Sequence, residues 1–411
     1  MSIRLPGADG GLRVHTPRPV PAPVVTVTVT GGGPLRSRTL FAAAHVVADP
    51  FADPHASAVD WDATLAFRRH LWSHGLGVAE AMDTAQRGMG LDWTAAAELI
   101  RRSAAEARTV GGAIACGVGT DQLTGPAPLD AVRRAYEEQL AIVEGTGAQP
   151  VVMASRALAA IARGPEEYLD VYDGLLRQSG GRVILHWLGP MFDPALEGYW
   201  GSSDLSAATD VLLDVVAAHP EKVDGVKISL LDAGREIALR RRLPAGVRCY
   251  TGDDFHYPEL IAGDEQGFSH ALLGVLDPLG PVAADAVRAL DAGGAGVRTP
   301  DGGAGVRALD AGGAGSGAGV RAFRARLDPT VPLARHLFEP PTRYYKTGVV
   351  LLAWLAGRQR HFAMVGGLQS ARSLPHLARA YELADEQGLF PDPALAEHRM
   401  RTLLGMYGVD A

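Results

Sequence analysis

Between residues 39 and 284, short apolar runs alternate with longer amphipathic runs eight times over, and this regularity restricts the fold more than any other property of the chain. An apolar run of about four to eight residues bounded by turn formers has the length of a buried strand. Apolar positions recurring every three to four residues over about ten or more mark one face of a helix. Strand candidates occupy 40–47, 77–82, 112–117, 149–154, 182–187, 223–228, 247–250 and 267–272. Helix candidates follow each in turn: 61–74 opened by Asp60 as N-cap, 93–108 after Asp92, 130–144, 166–178, 205–218, 233–242, 257–262, and one beginning near Pro281. Strands separated by helices pair in parallel, and eight such units close into a barrel. An open doubly wound sheet uses the same alternation, but no glycine-rich phosphate fingerprint follows the first strand. The expected fold is therefore α/β, a (β/α)8 TIM barrel with a C-terminal helical extension.

The flanking segments read differently. Residues 1–38 are rich in Pro, Gly and Thr and read as an N-terminal extension, with 24–30 as a short strand pair. The decapeptide running from Val287 to Gly296 recurs from Val306 to Gly315. Two copies without an apolar face do not build a solenoid, so 285–322 reads as a low-complexity Gly/Ala insertion. Beyond it, 331–336, 342–356, 373–387 and 393–406 have helical periodicity, and 323–411 is expected to pack as a helical bundle.

Composition excludes several classes. A net charge of −7 and a pI near 6.0 argue against nucleic acid or an anionic membrane as partner. No apolar run approaches the length of a membrane span, and the N-terminus lacks a basic-then-apolar leader. Cys116 and Cys249 sit in apolar contexts without metal-ligand spacing, as expected of buried thiols in a reducing cytoplasm.

In a barrel the chemistry gathers at the C-terminal ends of the strands. Those ends carry His45; Glu80, Asp83 and Thr84; 117–122; Ser155 and Arg156; His186 and Trp187; Lys227 and Ser229; 253–256; and Ser269 and His270. Lys227 stands out among them. Of 39 basic residues only Lys222, Lys227 and Lys346 are lysine, and Lys227 lies in the apolar stretch 223–229. A lysine placed there is either desolvated or faces a pocket. Desolvation lowers an ammonium's pKa and frees the amine for imine chemistry, which arginine cannot perform. The other rim residues each have a plainer reading, with Asp253 and Asp254 as turn or N-cap groups and Thr84 as a backbone partner.

The order of three segments carries a family resemblance. Gly225-Val226-Lys227-Ile228-Ser229, Cys116-Gly117-Val118-Gly119-Thr120 and Tyr250-Thr251-Gly252-Asp253-Asp254 resemble strands 6, 3 and 7 of the dihydrodipicolinate synthase and N-acetylneuraminate lyase superfamily of class I aldolases. The resemblance covers about residues 40–280. It implies a Schiff base at Lys227, substrate contacts from Gly117, Gly119, Asp253 and Asp254, no cofactor, and a dimer or tetramer. Two departures accompany it. The family's carboxylate-binding motif aligns with Met82-Asp83-Thr84-Ala85-Gln86, and an anionic Asp83 repels a substrate carboxylate unless a cation or proton intervenes. His186 stands where the family has a tyrosine relay.

The expectation is thus a lyase or aldolase acting on a small carbonyl compound, a hydroxylated keto acid or sugar derivative rather than plain pyruvate. Lys227 is the nucleophile, His186 the proton shuttle, and Asp83, Thr84 and Gln86 substrate contacts. The alternatives are a divalent-metal isomerase or hydrolase using His45, Glu80, Asp83, His186, Asp254, His256 and His270, and a non-catalytic ligand-binding barrel.

Overall fold

The computed structural model describes residues 2–18, 35–53, 55–123, 125, 127–293 and 314–410. Its N-terminus is a hairpin in which β1 (Ile3–Pro6) pairs antiparallel with β2 (Leu12–His15). Ile3 and Leu5 are fully buried, and Arg13 and His15 anchor the hairpin to Glu382 and Asp385 at 2.7 and 2.9 Å. The strand pair expected at 24–30 lies outside the described residues.

The next eight strands are β3 (Leu40–Ala43), β4 (Gly77–Glu80), β5 (Ile114–Val118), β6 (Gln149–Met153), β7 (Val183–Leu188), β8 (Val223–Ser229), β9 (Arg248–Thr251) and β10 (His270–Leu273). They form one closed parallel barrel in chain order, β10 pairing back onto β3. Each is followed by a helix, and the expected caps are in place: Asp60 accepts from the Ala63 amide and Asp92 from the Ala95 amide, at 3.0 and 2.8 Å. The barrel interior packs Phe41, Ala43, Ala79, Met82, Ala115, Val151, Ile184, Tyr250 and Leu272. A second layer of apolar side chains joins the outer strand faces to the helices. No helix of the described residues is long and apolar enough to cross a membrane.

Strand ends differ from the sequence periodicity where a side chain takes over a backbone group. The first barrel strand stops at Ala43 rather than residue 47, because the His45 amide donates to Asp277 Oδ2 at 2.8 Å. The last begins at His270, so Ser269 and His270 sit at its start and not at the rim. There the Ser269 amide donates to the Leu260 carbonyl and His270 Nδ1 accepts from the Thr39 amide at 2.8 Å.

Beneath the mouth lies a fully buried ion pair. Arg68, from the helix Trp61–Ser73, reaches Glu80 through two bonds of 2.8 and 2.9 Å and also donates to the His45 carbonyl. Glu80 is thus consumed in tying the first helix to the end of β4.

The helix after β10 runs Leu276–Ala292 and contains Pro281 rather than starting near it. Leu276, Leu279, Ala283, Val287 and Leu290 form one buried stripe, which continues through the first copy of the decapeptide. Residues 285–292 therefore belong to the barrel's last helix and not to an insertion, since Val287 and Leu290 supply the apolar face that alanine and glycine could not. On the far side, the helix Ala314–Leu327 buries Phe323 and Leu327 and lies against that same helix. Gly319 permits the approach: a Cβ there would stand 3.1 Å from the Leu290 carbonyl. Most of the second copy lies outside the described residues. The C-terminal helices are Val331–Leu337, Tyr345–Leu355, Leu374–Glu386 and Pro393–Met406.

Candidate active site

Lys227 and His186 are direct neighbours in the β7/β8 ladder, with Tyr250 opposite Lys227 on β9. Neighbouring positions across a parallel ladder share a face, so Lys227 and His186 enter the barrel mouth together. They line a narrow pocket with about 340 Å³ of non-atom space, open mouth included, together with Asp83, Thr84, Ser229 and Asp254. Its apolar wall includes Leu188, Phe192, Phe338 and Tyr345. Gly252 makes room for the lysine: a Cβ there would fall 2.0 Å from Ser229 Oγ and 3.0 Å from Lys227 Cε.

The electrostatics follow from burial. Lys227 is only 8% exposed, and among the described residues no carboxylate lies within 4.0 Å of it and no hydrogen bond holds its ammonium. Desolvation lowers it from 10.5 to about 8, against the opposing fields of Asp254 and Asp83. Burial likewise lifts Asp254 to about 8, although the Val275 amide donates to its Oδ1 at 2.9 Å and Lys227 opposes the rise. Burial thus moves Lys227 and Asp254 toward the same range, each charge opposing the other's shift. Burial, and then the charge of Lys227, push His186 well below its ordinary range, so its ring is neutral. Its Nε2 lies 3.1 Å from Ser229 Oγ, while its buried Nδ1 has no partner.

Asp83 and Thr84 enter from a short turn of helix, Asp83–Ala85, just beyond β4. Ala81 adopts φ 51° there, a left-handed conformation that costs a non-glycine residue about 1 kcal/mol and turns the chain into the mouth. Both side chains meet the C-terminal helices. Thr84 Oγ1 lies 2.6 Å from the Tyr345 hydroxyl, and Lys346, fully buried, donates to Asp83 Oδ1 at 3.0 Å. A cation therefore does stand beside Asp83, the exception the sequence argument left open, and it is Lys346. Asp83 Oδ2 remains buried without a partner. Burial, with Asp83 nearby, raises the Tyr345 phenol well above its usual range and keeps it protonated. Phe338 stacks on Tyr345 at 4.2 Å and forms the roof.

The other candidates do not line the pocket. Gln86 (φ 63°) is buried and donates to the Val365 carbonyl at 2.5 Å. The Gly117 carbonyl accepts from Arg87 at 2.7 Å, and the Gly119 amide donates to Gln139 Oε1 at 2.6 Å. Both glycines thus belong to a network of Arg87, Asp121 and Gln139. Asp253 takes the plainer of its two readings, accepting from the Phe255 and His256 amides at 2.8 and 3.0 Å. Of the seven residues of the metal alternative, no three bring ligand atoms within 4.8 Å of one another among the described residues. His45 is held by Asp277 and Gln359 at 2.8 and 2.9 Å, Glu80 by Arg68, and His256 by Asp253 at 2.8 Å.

Tyr345, Phe338 and Lys346 were not among the sequence candidates. A signal was present: Lys346 is one of only three lysines and opens the apolar segment 345–355, the same scarcity that singles out Lys227.

A family model described as "Protein of unknown function (DUF993)" matches residues 3–300 and 296–409. Among curated proteins none matches the sequence. Solved structures do. A putative dihydrodipicolinate synthetase from Pseudomonas aeruginosa superposes with a TM-score of 0.61 at 14% identity, covering 85% of this chain and 99% of that one. Dihydrodipicolinate synthase from Aquifex aeolicus gives 0.57 at 12% identity, covering 90% and 98%. The chloride-inhibited dihydrodipicolinate synthase from Acinetobacter baumannii, complexed with pyruvate, gives 0.59 at 12% identity, covering 86% and 99%. At such identities the likeness is one of fold, and at that level the resemblance seen in the sequence holds.

Proposed function

The chain belongs to the DUF993 family, and we propose that its barrel is a Schiff-base lyase or aldolase in which Lys227 attacks the carbonyl carbon of a small substrate. One observation carries this reading: a buried lysine, unpaired and lowered to about 8, faces a pocket lined by groups able to move protons. Attack by the neutral amine gives a carbinolamine, and loss of water gives a protonated imine. That cation accepts the electron pair of the Cα–Cβ bond in a cleavage, or of a Cα–H bond in a dehydration, after which the resulting enamine expels the β-hydroxyl as water.

Each lining group has a role in this scheme. Asp254, protonated in the same pH range as Lys227, delivers the proton that expels water from the carbinolamine. The neutral His186 takes the proton from the substrate side and relays it through Ser229. Thr84 and Tyr345 form a hydroxyl pair, with Tyr345 donating to the oxygen of the second carbonyl fragment as its C–C bond to the imine-bound carbon forms or breaks. Asp83, its Oδ1 held by Lys346, offers the unpartnered Oδ2 to a substrate hydroxyl. A hydroxylated keto acid or sugar derivative supplies that hydroxyl and plain pyruvate does not. The solved relatives are named dihydrodipicolinate synthases, one of them with pyruvate, so pyruvate is the natural first probe. The resemblance carried by the three sequence segments implies a homodimer or homotetramer acting without a cofactor.

The test is reductive trapping. The protein is incubated with pyruvate, and separately with glyceraldehyde and hydroxypyruvate, then treated with borohydride and mapped by mass spectrometry. At least one compound should leave an adduct on Lys227. An adduct only on other amines, or none with any carbonyl compound, would sink the reading in favour of a ligand-binding barrel. The pH dependence is specific. Below the value of about 8 the amine is protonated and above it Asp254 loses the proton it must deliver, so the trapping rate should climb about tenfold per pH unit from pH 6, peak near pH 8 and fall beyond it. A rate still climbing to pH 10 would mean an ordinary surface amine. Tyr345→Phe should lower kcat by about 10- to 100-fold while leaving the adduct intact, because the phenol acts after imine formation. Unchanged kcat would remove Tyr345 from the scheme.

A further inference from the structure

Apart from the barrel pocket, one cluster among the described residues brings three potential metal ligands together. His336 ends the helix Val331–Leu337, Glu339 follows in the loop, and His376 lies in the first turn of Leu374–Glu386. One ligand atom from each lies within 4.8 Å of the others. We propose that His336, Glu339 and His376 form a binding site for a divalent transition metal of the zinc class, which clips the loop carrying Phe338 to the helix behind it. The proposal does not depend on the chemistry assigned to Lys227.

The hydrogen bonding around His336 is what calls for a cation. Its Nε2 lies 2.9 Å from the His376 carbonyl. A carbonyl only accepts, so Nε2 carries the hydrogen and a neutral ring presents a bare lone pair at Nδ1. That lone pair faces Glu339 Oε2 at 3.3 Å. Two acceptors facing each other at that distance repel unless a proton or a metal lies between them. The second histidine converges on the same carboxylate, with His376 Nδ1 2.9 Å from Glu339 Oε1. The two imidazoles stack at 4.1 Å and 27°, which directs both rings to one side.

The surroundings hold the ligands in place. A backbone carbonyl that fixes the tautomer of a ligating histidine is the usual outer partner of such sites, and the His376 carbonyl does this for His336. Arg372 donates to the carbonyls of Glu339, Pro341 and Pro340 at 2.6, 3.1 and 3.3 Å, fixing the loop's course. His376 is nearly buried, His336 half-buried, and the Glu339 side chain 46% exposed. Zinc bonds of about 2.0–2.2 Å place neighbouring ligands roughly 3.3–3.6 Å apart, so ligand atoms within 4.8 Å of one another close on a metal with a shift of roughly 1 Å. The fourth position opens to water on the Glu339 side. His336 and Glu339 bracket Phe338, so a metal here stiffens the roof over the barrel pocket.

The full chain, stripped with chelator and free of any affinity tag, is titrated with zinc chloride by calorimetry and with cobalt chloride by visible absorption. One equivalent should bind, cobalt should develop the d–d bands of a tetrahedral site, and amide exchange across 337–345 should slow with zinc. His336→Gln and His376→Gln should each weaken binding roughly 100-fold or more. Glu339→Gln, at a half-exposed position that leaves the core alone, should also weaken it. Absence of saturable one-to-one binding in the unaltered protein would overturn the proposal. So would zinc affinity within about threefold of the unaltered protein in the His336→Gln/His376→Gln double variant. A thermal midpoint that rises on acidification and ignores zinc would mean that a proton holds the cluster instead.

Discussion

Lys227→Met should abolish imine trapping, lower turnover by on the order of 10³-fold or more, and yet make the protein more stable. The two effects have one cause. Lys227 binds its proton at about 8 instead of 10.5 because burial withholds water from the ammonium, which corresponds to about 3 kcal/mol of destabilised charge. Between pH 8 and 10.5 the unfolded chain binds more protons than the folded one, so folded stability rises with pH across that window. Below pH 8 the penalty applies in full. Methionine keeps an unbranched chain one atom shorter and carries no charge, so the gain should approach 3 kcal/mol as an upper value at pH 6.5 and vanish toward pH 10.5. Calorimetric melting at those two pH values measures it. A lower melting temperature at pH 6.5 would identify Lys227 as a structural ion-pair partner and remove the argument for its reactivity.

Glu80→Gln is expected to act in the opposite sense. Glu80 and Arg68 are fully buried and bonded through both carboxylate oxygens. Removing one charge leaves the guanidinium buried without its counterion, a loss of about 3–5 kcal/mol. Thermal melting should therefore fall by on the order of 10 °C, while any adduct at Lys227 still forms in the folded fraction. Replacing both partners together, Arg68→Met with Glu80→Leu, should recover much of the loss, because the penalty lies in the orphaned charge. If Glu80→Gln instead kept its melting temperature and lost activity, Glu80 would belong to the chemistry, and the metal-dependent reading of the barrel would return.

Much of the barrel was legible locally. Strands buried on both faces are continuous apolar runs, and aspartate caps announce the helices that follow; both are properties of a few adjacent residues. Lys227 was legible for the same reason, as a charge inside such a run. Boundaries set by distant partners were not. His45 leaves the first barrel strand for Asp277, and His270 starts the last strand because Ser269 bonds to Leu260. The first decapeptide copy reads as filler until its Val287 and Leu290 meet a core from another part of the chain.

For the candidate site the division is sharper. The sequence by itself determined that a lysine would stand near the end of the sixth barrel strand and His186 at the end of the fifth, since strand order follows from local periodicity, whereas the register that sets them side by side is tertiary. Tertiary structure alone decided which groups share the mouth with them. Gly117, Gly119, Gln86 and Asp253 hold the frame. Asp254 turns inward to the pocket that Lys227 lines, and the C-terminal helices bring Tyr345 to Thr84 and Lys346 to Asp83. Those contacts join segments far apart in the chain, and no local pattern encodes them. They arise because the helices bury their apolar faces over the barrel mouth and bring their polar side chains with them.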